Sequence, residues 1–510
     1  MAEGSSQPAL EALGISKSFG GVAALDSVDF EVARGEVHAL LGENGAGKTT
    51  LSNILAGLYR ADAGRVLVDG THCEFHTPSQ AIAAGVGMVH QHFRLVEPMT
   101  VAENIHLGWT DTPRVCARRV LAARAELFMD EIGLRVDPMA YIWQLSVGEQ
   151  QRVEILRVLA RGARILILDE PTAVLTAHEA ADLFEVLRRL VQGGRSVVFI
   201  SHKLREVLDV SDRVTVLRDG VRKVTREAEG ATVRELAVLM TGEAGEIKVE
   251  HRKVAGKVAL GVSGLTARND RNLVAVNGVD LSVREGEIVG IAGVSGNGQT
   301  ELAEVLAGMR TAEHGSVHVG DQDITNASPR EVIDHGVGHI PEDRVGMGMV
   351  LSASVKDNAV LRHYRRDELS TGLGLDRTAV AAFAEQLVAS ARVQTRSLDG
   401  TVGELSGGNQ QRLLAHREAA VADRVMVASH PSRGLDVLAA QEVQSTLIDL
   451  RDAGCAILLI SDDLDEILLM SDRVAVMYEG EVVGLFDSAE ADRDRIGILM
   501  GGQQDTDGRR

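Results

Sequence analysis

The chain has 510 residues, enough for more than one domain, and 45% of them are hydrophobic although only 3% are aromatic. Its 53 basic and 73 acidic residues give a net charge of −20, which argues against a protein whose main partner is nucleic acid. No apolar run approaches the length of a membrane-spanning helix, so a role at a membrane would require another chain to cross the bilayer.

The first chemical motif in chain order follows a short apolar run at 37–41, which predicts a buried strand. The next residues, GENGAGKT, fit a loop whose backbone N–H groups surround phosphates. Lys48 would add a positive charge at the β- and γ-phosphates, and the Thr49 hydroxyl would bind Mg²⁺. Upstream, Phe19 is a candidate to stack on adenine, with a core phenylalanine as a serious alternative. The predicted ATP-binding residues here are Phe19, Gly42, Glu43, Asn44, Gly45, Ala46, Gly47, Lys48, Thr49 and Thr50.

The segment that follows is predicted to insert helices into an α/β core. Between about 95 and 160, longer mixed stretches such as VLAARAELFMDEIGL are typical of helices. Two further apolar runs, at 165–168 and 197–200, each end in a polar residue and predict buried parallel strands. Together these patterns indicate an α/β core with a helical subdomain.

Carboxylates and a histidine follow these two strands. Asp169 is placed to hold Mg²⁺, and Glu170 is placed to polarise the attacking water. His202 is expected to contact the γ-phosphate. Each pattern alone also fits an ordinary polar strand end, and the preceding phosphate loop is what favours catalysis. The predicted catalytic residues are Lys48, Glu170 and His202, the Mg²⁺ ligands are Thr49, Gln91 and Asp169, and Gln91 also belongs to the ATP site.

The order of these motifs is repeated in the second half of the chain. GENGAGKT at 42–49 is matched by GVSGNGQT at 293–300, LSVGEQQR at 145–152 by LSGGNQQR at 405–412, and SDRVTVLRDG at 211–220 by SDRVAVMYEG at 471–480. This register predicts two copies of one domain, at 8–245 and 258–500. Residues 246–257 read as a linker, and residues 501–510 as a disordered tail.

The blocks LSVGEQQR and LSGGNQQR resemble the signature of the ABC ATPases, and the resemblance covers essentially the whole chain. It implies two P-loop NTPase domains in tandem, each with a RecA-like α/β core and a helical subdomain. In this family two domains close face to face, and each nucleotide lies between the P-loop of one and the signature of the other. The resemblance therefore implies that the first ATP site is completed by Ser406, Gly407, Gly408, Gln410 and Asp436.

Comparison of the two halves indicates that the second half lacks most of the residues that would bind phosphate and Mg²⁺ and activate water. Gln299 replaces Lys48, and Ser429 and His430 replace the two carboxylates. Asp462 and Glu342 stand at the positions of His202 and Gln91. Since the loop glycines remain, we expect this degenerate site to bind ATP without turnover, with a merely decayed second half as the alternative. The degenerate site comprises Gly293, Gly296, Gly298, Gln299 and Thr300, with Ser146 and Gly148 from the first signature.

The fused arrangement resembles the ATP-binding subunits of bacterial importers for simple sugars and nucleosides. The stretches LSVGEQQRVEIL and PEDRVGMGMVLSASVKDNAVL are similar to the nucleoside-type members. This resemblance implies an ATPase that uses ATP and Mg²⁺, two membrane permeases and an extracytoplasmic substrate-binding protein as partners, and no nucleic acid. It also implies a peripheral place on the cytoplasmic face of the plasma membrane, with docking near Gln91 and Glu342.

A pentose or hexose importer is the main alternative to a nucleoside importer. A soluble ABC protein acting on ribosomes or DNA is a further alternative. The short linker, the acidic net charge and the degenerate second site all argue against that soluble class.

Overall fold

The short apolar runs of the first half form buried strands in the computed structural model of the chain. The strands of this half are β1 (Leu10–Phe19), β2 (Val22–Val32), β3 (Val37–Leu41), β4 (Ala63–Val68), β5 (Thr71–Cys73), β6 (Val86–Val89), β7 (Ile165–Asp169), β8 (Ser196–Ile200), β9 (Arg213–Arg218) and β10 (Val221–Glu227). Its helices are α1 (Lys48–Leu55), α2 (Pro78–Ala83), α3 (Val101–His106), α4 (Arg118–Ile132), α5 (Val147–Ala160), α6 (Ala177–Gln192), α7 (Leu204–Val210) and α8 (Val233–Thr241), with a 3₁₀ turn at Ile142–Gln144.

The structure describes residues 7–90, 93–113, 115–172, 175, 177–201, 203–242, 256–294, 296–371 and 374–502. The predicted site residues Gln91 and His202, most of the predicted linker and residues 503–510 lie outside these ranges. The chain divides into two units, Met1–Glu246 and Ile247–Arg510. Among the described helices, none combines the length and the apolar character that crossing a bilayer would demand.

A six-stranded sheet forms the centre of the first unit, in the order β10-β9-β3-β8-β7-β6 within the described residues. Strands β9, β3, β8, β7 and β6 pair in parallel, and β10 adds an antiparallel edge. Their side chains are covered on both faces, which explains the unbroken runs of Val, Ile and Leu. Because the strands are parallel, the ends of β3, β7 and β8 meet at one edge, where ligands bind in sheets of this kind.

An antiparallel sheet in the order β2-β1-β4-β5 packs in the same unit and was not part of the sequence prediction. One hydrophobic cluster joins it to the central sheet, with Leu10 and Phe30 from the antiparallel strands and Ile167 and Val198 from the central ones. Leu51 of α1 belongs to the same cluster. The helix that follows the phosphate loop is therefore fixed between two layers.

Helices α3, α4 and α5 confirm the predicted helical insert. Helix α4 buries Ala125, Met129 and Ile132 along one face and ends at Gly133, whose φ is 76°. Such left-handed helix ends strongly favour glycine. Helix α5 begins at Ser146, which caps it together with Glu149 in a reciprocal pair of hydrogen bonds.

The second unit repeats this architecture. Its sheets have the orders β16-β17-β18-β13-β19-β20 and β12-β11-β14-β15 within the described residues, matching the first unit strand for strand. The strands are β11 (Val258–Arg268), β12 (Val274–Arg284), β13 (Ile288–Ala292), β14 (Ala312–Val319), β15 (Gln322–Asp323), β16 (Val337–Ile340), β17 (Val425–Ser429), β18 (Ala456–Ser461), β19 (Arg473–Tyr478) and β20 (Glu481–Asp487). The helices are α9 (Gln299–Leu306), α10 (Pro329–Asp334), α11 (Val355–Val360), α12 (Arg377–Ser390), α13 (Gly407–Ala419), α14 (Val437–Asp452), α15 (Leu464–Met470) and α16 (Arg493–Met500). Shorter 3₁₀ turns lie at Asp367–Leu369, Val402–Glu404 and Ser488–Glu490, and a π-helical turn at Arg344–Gly348.

Candidate active site and its degenerate counterpart

The predicted phosphate loop of the first unit runs from the end of β3 to the start of α1. Gly47 caps α1 with a φ of 101°, and a Cβ there would lie 2.7 Å from the carbonyl oxygen of Ala24. A Cβ on Gly42 would lie 2.5 Å from the carbonyl oxygen of Leu217. Both positions therefore require glycine, one for its backbone conformation and for space, the other for space alone. This arrangement keeps the backbone N–H groups close to the space where phosphates would lie.

The ammonium group of Lys48 lies inside this loop. The Lys48 side chain is buried, and its Nζ donates to the carbonyl oxygens of Gly42 at 2.7 Å and Glu43 at 3.0 Å. A buried lysine is costly unless its charge is matched by acceptors. The phosphate oxygens of a nucleotide would be stronger, anionic acceptors for the same group.

Two consecutive carboxylates lie at the end of β7, next to β8 in the same sheet edge. Burial, and after it the neighbouring Glu170, raise the pKa of Asp169 to about 6, and Lys48 acts against both. Glu170 has a φ of 47°, and its N–H donates to the carbonyl oxygen of Ile200 at 2.9 Å. Non-glycine residues seldom adopt this left-handed backbone, and such strain is concentrated at functional sites.

This donor set fits Mg²⁺. Hard divalent cations prefer carboxylate and hydroxyl oxygens, and a partly buried carboxylate with a raised pKa gains most from a cation beside it. Asp169 supplies that carboxylate, and Thr49, the exposed second residue of α1, supplies a hydroxyl. The third predicted ligand, Gln91, lies outside the described residues.

Asp169→Asn is expected to raise the free energy of unfolding of the nucleotide-free protein by roughly 1–3 kcal/mol at pH 8. Folding raises the pKa of Asp169 from 3.8 to about 6, so this carboxyl group loses its proton at a lower pH in the unfolded chain than in the folded protein. Ionised Asp169 therefore lowers the free energy of unfolding increasingly as the pH rises through that window. The gain should therefore be smaller at pH 5 than at pH 8. Urea titrations at both pH values measure it, with the exposed Asp209→Asn as control. An equal gain at both pH values, or none, would contradict the raised pKa.

The other described residues predicted for the first site are Phe19 and the rest of the phosphate loop. Phe19 ends β1 with 46% of its surface exposed, so it is not a core residue. Its ring lies 5.5 Å from that of Tyr59 in an edge-on contact, and Lys17 Nζ lies 5.5 Å from the ring centre. Sequence reasoning missed Tyr59 because nothing in its spacing relates it to Phe19. Gly45 has a φ of 84° in the exposed turn of the loop, and Glu43, Asn44, Ala46 and Thr50 complete it.

The two signatures begin equivalent helices. Ser146 and Ser406 cap α5 and α13, so each predicted signature serine lies at a helix N-terminus. Within each unit a glutamine in the second turn of this helix reaches the loop after the carboxylate position. Gln151 Nε2 donates to the carbonyl oxygen of Pro171 at 2.7 Å, and Gln411 Nε2 to that of Pro431 at 2.8 Å.

The other predicted signature residues have internal structural contacts. Gln410 is buried, and its Nε2 donates to the carbonyl oxygens of Val402 and Leu405 at 3.1 and 3.2 Å. Asp436 caps α14 by accepting from the N–H of Ala439 at 2.8 Å. Gly407 and Gly408 form the first turn of α13, and Gly148 lies in the first turn of α5, where a Cβ would meet the Glu179 carboxylate.

The second unit keeps the shape of the phosphate loop without its charge. Gly298 caps α9 with a φ of 98°, and a Cβ there would meet the carbonyl oxygen of Ala275. Gln299 is 3% exposed, and its Nε2 has no hydrogen-bond partner among the described residues. The same nitrogen lies 2.3 Å from where a Cβ of Gly293 would be. Gly296 has a φ of 94° in the turn between them.

The end of β17 carries the counterparts of the two carboxylates. His430 repeats the left-handed backbone of Glu170, with a φ of 46°, and its N–H donates to the carbonyl oxygen of Ile460. Its Nδ1 lies 3.1 Å from a carboxylate oxygen of Asp462. The Ser429 side chain is buried. The scaffold is thus retained, and the acidic residues that it held are replaced.

Comparison with models of known protein families shows which family the chain belongs to. The family described as ABC transporter matches residues 25–173 and 276–432, one stretch in each unit. The chain belongs to the ABC transporter family. Its matched stretches contain Lys48, Asp169 and Glu170 in the first unit. As an ABC ATPase, it carries a second cassette in which the equivalent residues have changed.

Individual relatives match this ABC ATPase over nearly its whole length. It is 45% identical to the glucose import ATP-binding protein TsgD13 of Haloferax volcanii, covering 98% of this chain and 96% of the relative. It is 42% identical to the nucleoside import ATP-binding protein NupA of Lactococcus lactis, covering 97% and 98%. A solved chain from the complex of archaeal ribosomal stalk protein aP1 and ribosome recycling factor aABCE1 covers 97% of this chain and 94% of its own, with a TM-score of 0.64 and 19% identity. That last likeness shows the shared tandem fold alone.

Proposed function

We propose that this ABC protein is the ATP-hydrolysing subunit of an importer for a nucleoside or a simple sugar. The first site carries the proposal, with Lys48 inside the loop and Asp169 and Glu170 at the neighbouring strand end. Full-length relatives that are import ATP-binding proteins support it, one for glucose and one for nucleosides. The nucleoside-type stretches of the sequence favour a nucleoside, and the glucose relative supports the hexose alternative.

At the first site each residue has a defined task. Lys48 and the loop N–H groups bind the β- and γ-phosphates, and the exposed Phe19 stacks on adenine. Glu170 orients and polarises the attacking water, and His202 contacts the γ-phosphate. Thr49, Gln91 and Asp169 would hold Mg²⁺, which when bound neutralises charge on the phosphate oxygens.

Turnover at the first site is proposed to need the second half as well. This inference comes from the family resemblance, in which a P-loop works with the signature of another domain. The residues that would contribute are Ser406, Gly407, Gly408, Gln410 and Asp436. The helix N-terminus at Ser406 offers N–H donors of the kind that bind a γ-phosphate. The degenerate site would correspondingly use Ser146 and Gly148.

The protein is proposed to work at the cytoplasmic face of the plasma membrane, bound to two permeases. A substrate-binding protein on the other side of the membrane would deliver the transported substrate to these permeases. An apolar surface in the second unit supports this docking. Val345 and Met347 in the π-helical turn, and Val350 just after it, each expose close to half of their surface. They lie within eight residues after Glu342, in the region where docking is predicted. Exposed apolar clusters of this kind mark protein interaction surfaces.

Uptake by the assembled transporter tests the proposal. Proteoliposomes containing the protein with its permeases and substrate-binding protein would be offered labelled nucleosides, pentoses and hexoses. We expect ATP-dependent accumulation of a nucleoside, and accumulation of only a pentose or a hexose would select the alternative substrate. The importer proposal would be overturned if the ATPase rate were the same with and without the permeases and the protein co-sedimented with ribosomes.

A further inference from the structure

Three side chains at the degenerate site form a continuous chain of contacts. Thr300 Oγ1 donates to one carboxylate oxygen of Glu342 at 3.1 Å. The other oxygen of Glu342 accepts from the guanidinium of Arg433 at 2.5 Å. In the first half the corresponding residues are Thr49, Gln91 and Ala173, of which the first two are predicted Mg²⁺ ligands. The second half therefore has an arginine at a sequence position where the first half has alanine.

The residues of this site do not fit Mg²⁺. The carboxylate that would bind the cation most strongly, Asp169 in the first half, is replaced by Ser429. Ser429 Oγ is buried without a hydrogen-bond partner among the described residues, and a neutral hydroxyl is a weak ligand for a hard cation. The nearby carboxylate of Glu342 is already neutralised by Arg433. A second positive charge would be repelled by that guanidinium.

We infer that the degenerate site binds ATP without Mg²⁺, with the Arg433 guanidinium in place of the metal. Thr300, Glu342, Ser429 and Arg433 line one cavity of about 310 Å³. The Arg433 side chain remains 42% exposed, so donors other than the one bound to Glu342 are available to phosphate oxygens. The Nε2 of Gln299, which is buried without a hydrogen-bond partner among the described residues, supplies a further donor from the loop. The inference rests on the proposed function, because it requires the second loop to bind nucleotide.

The test uses the full-length Lys48→Ala protein, in which binding at the first site is weakened. Equilibrium dialysis with labelled ATP then measures ATP binding at the second site. Removing Mg²⁺ with EDTA is expected to change the Kd by less than about threefold. Adding Arg433→Ala should weaken binding in EDTA by about tenfold to a hundredfold, since a charged hydrogen-bond donor to phosphate is lost. Arg493→Ala is the matched control, because Arg493 is 43% exposed and pairs with Asp465 in the same unit.

A second variant, designed to bind Mg²⁺ at this site, controls for the possibility that Arg433→Ala alone weakens ATP binding by misfolding. Ser429→Asp combined with Arg433→Ala restores the residues of the first half at both positions, and its ATP binding should become dependent on Mg²⁺. Binding by the Lys48→Ala protein that disappears in EDTA would overturn the inference and leave the proposed function intact. Absence of ATP binding in both buffers would instead refute the second nucleotide site itself.

Discussion

Replacing Glu170 by glutamine is expected to lower the steady-state ATPase rate of the assembled transporter by at least about a hundredfold. Glutamine fits the same left-handed backbone and keeps the hydrogen bond from the Glu170 N–H to Ile200, but it cannot accept a proton from the attacking water. ATP binding should be preserved, because Lys48 and the loop are unchanged. Phosphate release at saturating ATP measures the rate, and equilibrium dialysis measures the binding.

The matched substitution in the second unit is His430→Gln. His430 has the same backbone conformation, with a φ of 46°, and is buried at the same strand end. We expect the ATPase rate of this variant to change by less than about threefold, because we propose that the degenerate site binds ATP without turnover. Equal losses in the two variants would refute the assignment of hydrolysis to the first site.

Lys48→Gln, which copies Gln299 into the first loop, is expected to lower kcat/KM for ATP by about a hundredfold or more. The substitution removes the buried ammonium that now donates to Gly42 and Glu43, and with it the fixed positive charge at the phosphates. The second loop shows that the backbone tolerates glutamine, because Gln299 is accommodated at the same place in α9. Initial rates over a range of ATP concentrations provide kcat/KM.

The reciprocal variant Gln299→Lys should not add a second active site. Ser429 and His430 would still lack the metal-binding and water-polarising carboxylates at that site. The ATPase rate per chain should stay within about twofold of the unchanged protein. A marked increase would show that the lysine alone separates the two sites, and a Lys48→Gln protein with normal kcat/KM would contradict its phosphate-binding role.

Most of the central architecture could be predicted because it depends on local patterns. The apolar runs at 37–41, 165–168 and 197–200 became β3, β7 and β8 almost residue for residue. The motif repeat predicted two equivalent units, and their strand orders match. The antiparallel sheet was not predicted, because β1 and β2 alternate between buried and exposed residues and contain irregular register shifts.

The chemistry of the degenerate site was only partly predictable. Alignment of the two halves shows that the second half has no counterpart of Lys48, Asp169 or Glu170, since each replacement falls within a repeated motif. The contact between Glu342 and Arg433 joins residues far apart in the chain, and no spacing rule relates them. The exposed setting of Phe19 likewise depends on which face of β1 is covered, which the tertiary packing decides.

The hydrogen bonds of Gln151 to Pro171 and of Gln411 to Pro431 have a mechanical consequence. Each joins a helix of the helical subdomain to the loop directly after the strand end where water would be activated. A displacement of that helix pulls on this loop through one amide group, so motion can be transmitted between a docked permease and the catalytic strand end. The hydrogen bond has nearly the same length, 2.8 Å against 2.7 Å, in the unit that lacks the carboxylates. Both units have thus kept this hydrogen bond, whereas only the first has kept the two carboxylates beside it.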